Sequence, residues 1–444
     1  MKQKLFRKII AVSLVILASL SFSGLKCPPD QGGDSEKITL KWWRVNFDDS
    51  KDLDKIIDGF KAKHSNIKIE LKTFTFEEYE TEVLDAISAS TAEENKGPDI
   101  ISIHDDWLPR WESKLLPTPE SNKDYDHLTF RDYQDIFVQT AVDELTVQNK
   151  IYAVPLSVDT LALYYNKDYL DSAGVTQPPR TWDEFLAAAK KLTQIKEGII
   201  TRSGAAIGTS TNINRSTDIV ELIMMQNGTK MIDNSHKQIM FNSSAAGVTN
   251  TDSGPGQTAV TFYTDFANAQ KEAYTWNLNQ HYSIDAFVAG ETAMMFNYSF
   301  RQKTVEKKSP NLNYGIAPMP QIDTGSNKVN YPNYWAEAVS NKTKYPHQSW
   351  QFVEYLADKD NMKSYYESTL QPPSRRDLIA ELANDPIQSI FGEQALSARS
   401  WWKPDNRQIE IIFAKMIESI NLGKNTVPEA LNIAQQSAQQ LIKK

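Results

Sequence analysis

Apolar residues along the first part of this chain alternate between two periods. ITLKWWRV (38–45) reads as a buried strand, and Leu53, Ile56, Ile57 and Phe60 then recur at helical spacing. NIKIEL places Ile67, Ile69 and Leu71 on one face of a second strand, and Tyr79, Val83, Leu84 and Ile87 form a second helical stripe. PDIISI reads as a third strand, and 91–97 (TAEENKG) as a polar loop. Strands alternating with helices of this length predict βαβ units, a parallel sheet and an α/β lobe. Ligands of open α/β sheets bind beyond the carboxyl ends of the strands. Those ends are Trp43-Arg44-Val45-Asn46 and His104-Asp105-Asp106-Trp107, both rich in aromatic and polar groups. Trp42 and Trp43 must point to opposite faces of a regular strand, which favours one as core and Trp43 as the residue turned to the cleft.

After a polar helical region (130–145), IYAVPLSVDTLALYYN reads as two extended pieces about Pro155, with a passage into a second lobe near 158–160. YYNKDYLDSAGVTQPPRTWDEF then predicts a strand, a short helix, a turn stiffened by Pro178-Pro179 and a helix capped by Thr181 and Glu184. Its buried stripe is Phe185, Ala189, Leu192 and Ile195, so the stretch is scaffold rather than chemistry. Residues 208–216 form a polar loop before an apolar helix around Leu222–Met225, and 243–258 a long Ser/Thr/Gly loop. FYTDFANA begins a further helix; FVAGETAMMFNYSFR turns into a strand; YGIAPMP and WAEAVSN are strands; SWQFVEYLA and 405–442 are helical. There is no tandem repeat and no heptad pattern.

Composition changes this picture at the N-terminus. Lys2, Lys4, Arg7 and Lys8 precede an apolar run from Ile9 to Leu20, the pattern of an export signal and too short for an ordinary membrane span. Removing 1–26 takes five positive charges with it and moves the formal charge from −8 to −13. So acidic a chain argues against nucleic acid or anionic lipid as main partner. The one cysteine, Cys27, follows the signal directly, so no disulfide can form within the chain. Lipidation of Cys27 with 27–37 as a flexible tether is the expectation, although Lys26 stands where a small residue would precede a lipidated cysteine. Cleavage after Ser21-Phe22-Ser23 is the alternative and would leave a soluble exported protein.

VDTLALYYNKDYLDSAGVTQPPRTWDEF, GETAMMFNYSFR, YGIAPMP, SWQFVEYLADKDNMKSYY and VPEALN occur in this order. Together they resemble the carbohydrate group of extracellular solute-binding proteins of ABC importers, the maltose-binding-protein-like family, over nearly all of 38–440. The resemblance implies an α/β fold: a two-lobed clamp, each lobe a mostly parallel sheet flanked by helices, with several crossings between lobes. The crossings would fall near 158–161, 313–316 and 365–371. Lobe one would combine 38–159 with 315–366, and lobe two 160–314 with 367–444.

A sugar presents hydroxyls at its edge and C–H groups on its faces. Its site wants aromatic platforms and planar carboxylate, amide or guanidinium groups. Trp43, Arg44, Asp105, Asp106 and Trp107 are candidates at the strand ends, with His104 beside them. The resemblance adds Asp159 at the hinge, Asn212 and Arg215 in the polar loop, and Phe300 ten residues after Gly290. It also adds Tyr334 and Trp335, where relatives often carry Gly-Gly-Trp and this chain has a larger side chain. One of Trp401 and Trp402 would stack on ligand from lobe two.

Nothing in the chain reads as catalytic or metal-binding, and no cofactor is implied. The adjacent Asp105 and Asp106 are poorly placed to oppose each other across a glycosidic bond. There is no H-E-x-x-H, G-x-S-x-G or phosphate-binding loop. The expected partners are a carbohydrate, the permease subunits of an importer, and the membrane through the lipid anchor; nucleic acid is not among them, and the chain is expected to act as a monomer. A non-sugar solute such as a glycerol phosphate or polyol, a secreted carbohydrate-active enzyme, and a surface adhesin or sensor partner are the alternatives.

Overall fold

The structure, a computed structural model, describes residues 37–442 except 48–49, 89–96, 124, 244–253, 324 and 326. The export signal, Cys27, nearly all of the tether, most of the 91–97 loop and most of the 243–258 loop lie outside the described residues. The start of the helix that follows is earlier than the sequence suggests: Pro255 opens it as the first helical residue, where its missing N–H is harmless.

The expected strand and helix alternation is present. β1 (Ile38–Val45), α1 (Ser50–Lys63), β2 (Ile67–Phe74), α2 (Phe76–Ser88) and β3 (Ile100–His104) follow one another. β1 lies between β2 and β3 and is parallel to both. All five residues of β3 are buried, as a strand covered on both faces requires. α3 (Gln139–Leu145) and β4 (Ala153–Pro155) precede β5 (Asp159–Thr160) and β6 (Ala162–Asn166). In the second lobe come α4 (Trp182–Leu192), α5 (Ser216–Gln226), β7 (Met294–Asn297), α6 (Arg301–Lys308) and β8 (Tyr314–Ala317). β9 (Pro332–Asn333) and β10 (Trp335–Ser340) return to the first sheet, where β10 pairs antiparallel with β3 and β4. Helices α7 (Pro346–Leu356), α8 (Lys359–Thr369), α9 (Asn406–Asn421) and α10 (Val427–Ile442) complete the chain.

Two separate hydrophobic cores define two lobes. One gathers buried residues from 38–158 and 334–379 together with Ala395, the other from 161–331 and from Phe391 and 401–438. The packing changes core over 158–161. The return falls at 331–334 rather than 313–316, because Ile316, Ala317, Met319 and Tyr331 all pack in the second core. The last passage is interleaved: Leu378, Ile379 and Ala395 belong to the first core, whereas Phe391 and Trp401 belong to the second. The crossing strands run side by side, with Pro332 opposite Thr160 and Asn333 opposite Asp159. Residue 372 joins them: the Val158 N–H donates to the Pro372 carbonyl at 2.9 Å.

The parallel run belongs to the first lobe. In the second, β6 lies between β7 and β8 and is antiparallel to each. The reason is topological. β6 carries the chain away from the hinge, whereas β7 and β8 carry it back, so the strands oppose. Two glycines of the family-like motifs serve this sheet. Gly290 (φ 74°) makes the turn before β7. A Cβ on Gly315 would lie 2.4 Å from the Tyr165 ring across the β6–β8 pair.

β1 decides its tryptophans sharply. Trp42 is fully buried, edge-on to Phe352, and its indole N–H donates to the Glu337 carboxylate at 2.7 Å. Glu337, itself buried, also accepts from the Ser102 hydroxyl. Trp42→Phe keeps the ring and deletes one donor to a buried carboxylate, which costs about 1–3 kcal/mol. In urea unfolding the midpoint should fall with the slope unchanged; an unchanged midpoint contradicts the assignment.

Candidate ligand-binding cleft

Two cavities lie between the lobes, each lined from both. The first, about 370 Å³, is lined on the first-lobe side by Arg44, Asn46, Phe47, Tyr334, Trp335, Glu337 and Tyr365. Phe300, Arg301, Lys303 and Thr304 face them from the second lobe, and the hinge adds Ser157, Asp159, Asn333 and Gln371. Trp335 sits at the start of β10 amid Phe47, Phe76, Tyr79, His104 and Trp107, with ring centroids 5.2–6.1 Å away. Phe300, 37% exposed, is stacked against Tyr298 and offers a ring from the other lobe. The buried Arg44 guanidinium lies over Trp42, Phe47 and Tyr365 at 5.1–5.8 Å, and donates to the Tyr365 hydroxyl at 3.3 Å.

Asp159 lines this cavity but is engaged. Its carboxylate accepts from the backbone N–H of Thr160 (2.8 Å) and Ser299 (3.0 Å) and from the Ser299 hydroxyl (2.7 Å). Burial raises its pKa to about 6 against those hydrogen bonds. It therefore ties the hinge strand to the turn that precedes α6.

The second cavity, about 620 Å³, is more strongly charged. Asp105, Asp106, Thr140, Asp143 and Glu144 line it from the first lobe, and His236, Ser400, Trp401, Trp402 and Lys403 from the second. His104 Nδ1 lies 2.7 Å from Asp105 and 2.8 Å from Asp106. Burial lowers the imidazole's pKa, but the two carboxylates outweigh it and raise it well above normal. Burial raises Asp106 in turn, and His104 and Lys403 more than reverse this, to about 2. Asp105 is raised, by burial first and then by Asp106's charge. These three residues have donor atoms close enough to hold a metal ion. They already form an internal ion pair, however, and the Lys403 ammonium lies 3.5 Å from Asp106, so a cation is not needed to balance them.

Lys403 is buried and joins the lobes. Its ammonium is 3.3 Å from Glu221 on α5 and donates to the Tyr331 hydroxyl at 2.6 Å. Glu221 also accepts from the Trp401 indole at 2.9 Å, which fixes that ring. Trp402 stacks on His236 at 4.9 Å and 14°. Glu144 on α3 accepts from the Tyr334 hydroxyl (2.6 Å) and, across the cleft, from the Ser400 hydroxyl (2.6 Å) and N–H (3.2 Å). Burial, then the neighbouring Asp105 charge, pushes Glu144 up to about 8.

The structure thus brings Arg44, Asp159, Phe300, Tyr334 and Trp335 to one cavity, and Asp105, Asp106, Trp401 and Trp402 to the other. Trp43 lines neither; it packs on Phe74 with the Lys72 ammonium over its ring. Trp107 packs against Trp111 and Trp335 behind the wall. Asn212 is held inside the second lobe by Trp276, Asn277 and Gln280. Arg215, in a left-handed backbone conformation, forms a bidentate pair with Asp218 and also reaches Glu410. Glu144, His236, Lys403, Phe47 and Arg301 were not singled out from sequence. Lys403 had a signal, a cation directly after a tryptophan pair. Glu144 had none, since QTAVDEL reads as an ordinary half-polar helix.

Two lobes joined by crossing strands, with aromatic and polar cavities between them, are the architecture of a solute-binding clamp. The chain belongs to the bacterial extracellular solute-binding protein family, whose model matches residues 46–363. The multiple sugar-binding protein of Streptococcus mutans is 22% identical over 87% of each chain. The galactooligosaccharide-binding protein of Bacillus subtilis is 22% identical over 97% of this chain and 96% of its own. In fold, the chain is similar to a solute-binding protein of an ABC transporter from Thermotoga lettingae, solved with α-D-tagatose bound. The TM-score is 0.71 at 24% identity, covering 92% of this chain and 100% of that one.

The Glu144 contact generates a signed pH prediction. Its folded pKa lies above the unfolded value of 4.5, so its contribution to stability is complete below about 4.5 and is lost as pH rises through about 8. Melting of the wild type between pH 6 and pH 9 should therefore fall more than melting of Glu144→Gln. Equal falls in both proteins contradict the assignment.

Proposed function

We propose that this protein captures a carbohydrate, an oligosaccharide by preference, between its two lobes and delivers it to the membrane permease of an ABC importer. One observation carries the reading: aromatic rings from both lobes alternate with carboxylate, amide and guanidinium groups around the interlobe cavities. Phe47 and Trp335 of the first lobe face Phe300 of the second in one, and Trp401 and Trp402 of the second lobe face carboxylates of the first in the other. Rings offer faces to sugar C–H groups, and planar polar groups bridge vicinal hydroxyls. The sugars named for the relatives, among them galactooligosaccharide and tagatose, agree with this reading.

The lobes, taken as the two hydrophobic cores, close by bending at 157–160, 332–333 and the adjoining 371–373. Ligand shifts that equilibrium only through contacts unique to the closed form. Ligand contacts are assigned to Arg44, Asp105, Asp106, Phe300, Tyr334, Trp335, Trp401 and Trp402, with Asp159 as a hinge tie. The protein binds without converting its ligand. It is exported and acts as a monomer, held at the outer face of the membrane by a lipid on Cys27, with 27–37 as tether.

Thermal melting of residues 38–444 against mono- and oligosaccharides tests the ligand class. Stabilisation grows with the logarithm of concentration and reaches about 2.7 kcal/mol at a hundredfold excess over Kd. A shift with a polyol or phosphate ester and none with any sugar overturns the sugar assignment. For the anchor, Cys27→Ser should move the protein from the membrane fraction to the soluble one; unchanged partitioning overturns lipidation.

A further inference from the structure

We propose that Tyr334, Glu144 and Ser400 form a partition across the cleft that limits how long a sugar chain the closed protein can hold. This rests on the carbohydrate reading above and adds what that reading leaves open, the length of the ligand.

The partition is visible in how the two cavities meet. Tyr334 lines the smaller one, whereas Glu144 and Ser400 line the larger. The Tyr334 hydroxyl donates to one Glu144 oxygen at 2.6 Å. The other oxygen takes the hydroxyl and N–H of Ser400 at 2.6 and 3.2 Å. Tyr334 and Glu144 come from the first lobe, and Ser400 from the segment that leads to Trp401 of the second core. The chain of hydrogen bonds therefore runs from lobe to lobe and is complete only when the lobes are together. Tyr334 is also pinned from behind, since its carbonyl accepts from the Asp105 N–H at 3.1 Å. With 2% of its surface exposed, the ring is buried at the edge of the smaller cavity.

The consequence is steric. A sugar seated beside Phe300 and Trp335 cannot continue towards Trp402 without displacing the tyrosine ring or the Glu144–Ser400 bridge. The closed form therefore favours a chain that fits one cavity, although aromatic rings stand in both. Displacing the wall would expose a buried carboxyl whose partners are in place, a penalty that selects against longer chains.

The test is calorimetric titration with malto-, galacto-, manno- and arabino-oligosaccharide ladders of one to six units. Wild-type protein should gain affinity over the first units of the ladder it binds and then level off. Tyr334→Ala should continue to gain, binding the longer members about tenfold more tightly than wild type, the worth of roughly 1.4 kcal/mol. Tyr334→Phe keeps the ring and should keep the wild-type limit. Ser400→Gly loosens the bridge from the other lobe without touching the first core, and should shift the limit if Tyr334→Ala does not fold. A limit that is the same in wild type and both wall-opening variants, or a wild type that gains steadily to six units, overturns the partition alone. Wild-type protein that binds no member of any ladder overturns the carbohydrate reading, and the partition with it.

Discussion

A buried ammonium governs the space between the lobes. Lys403 is 4% exposed, with Asp106 of the first lobe and Glu221 of the second within 3.5 Å. A charge removed from water is stable only if others meet it there. The same requirement organises its surroundings: Asp106 is held with His104, Glu221 collects the Tyr331 and Trp401 donors, and Tyr331 also receives the ammonium. Parting the lobes would take Asp106 away and leave Glu221 and Tyr331 in place. The attraction lost is of order a few kcal/mol, and water returning to both charges offsets much of it. Such a bridge can favour closure without locking it.

The network also engages several acids at and behind the cleft. Asp105 and Asp106 share one imidazole, Asp159 accepts three close hydrogen bonds, and Asp218 is clamped by Arg215. Each carboxylate has a structural employment. The cavities combine Asp105, Asp106 and Asp159 with aromatic rings and with further charged side chains, among them Lys303 and Asp143.

Much of this was legible in the chain itself. The alternation from Ile38 to Ile103 foretold β1 to β3 and their helices because buried faces impose a period. The same inference set Arg44 and Asp105-Asp106 at strand ends, and these residues line the interlobe cavities. Trp43 shows the limit. Alternation says that Trp42 and Trp43 face opposite ways, but not which face meets the cleft, and here Trp42 went to Glu337 and Trp43 to Phe74. Asn212 and Arg215 sit in a polar loop by sequence, yet their polar groups are consumed by Trp276 and Asp218. Glu144 became visible only when residues more than 250 positions apart were brought together, as Glu144 and Ser400 are. The second crossing was displaced for a similar reason: strand pairing of Tyr314–Ala317 with β6 holds that segment in the second lobe.

Capture of an intact sugar, one per molecule, is the function proposed for the cleft. Native mass spectrometry of the protein with an oligosaccharide from the binding screen, followed by denaturation and analysis of the released ligand, addresses it directly. A one-to-one complex and recovery of the oligosaccharide at its original mass are expected. A protein that forms no carbohydrate complex, or that returns shortened sugar, contradicts it.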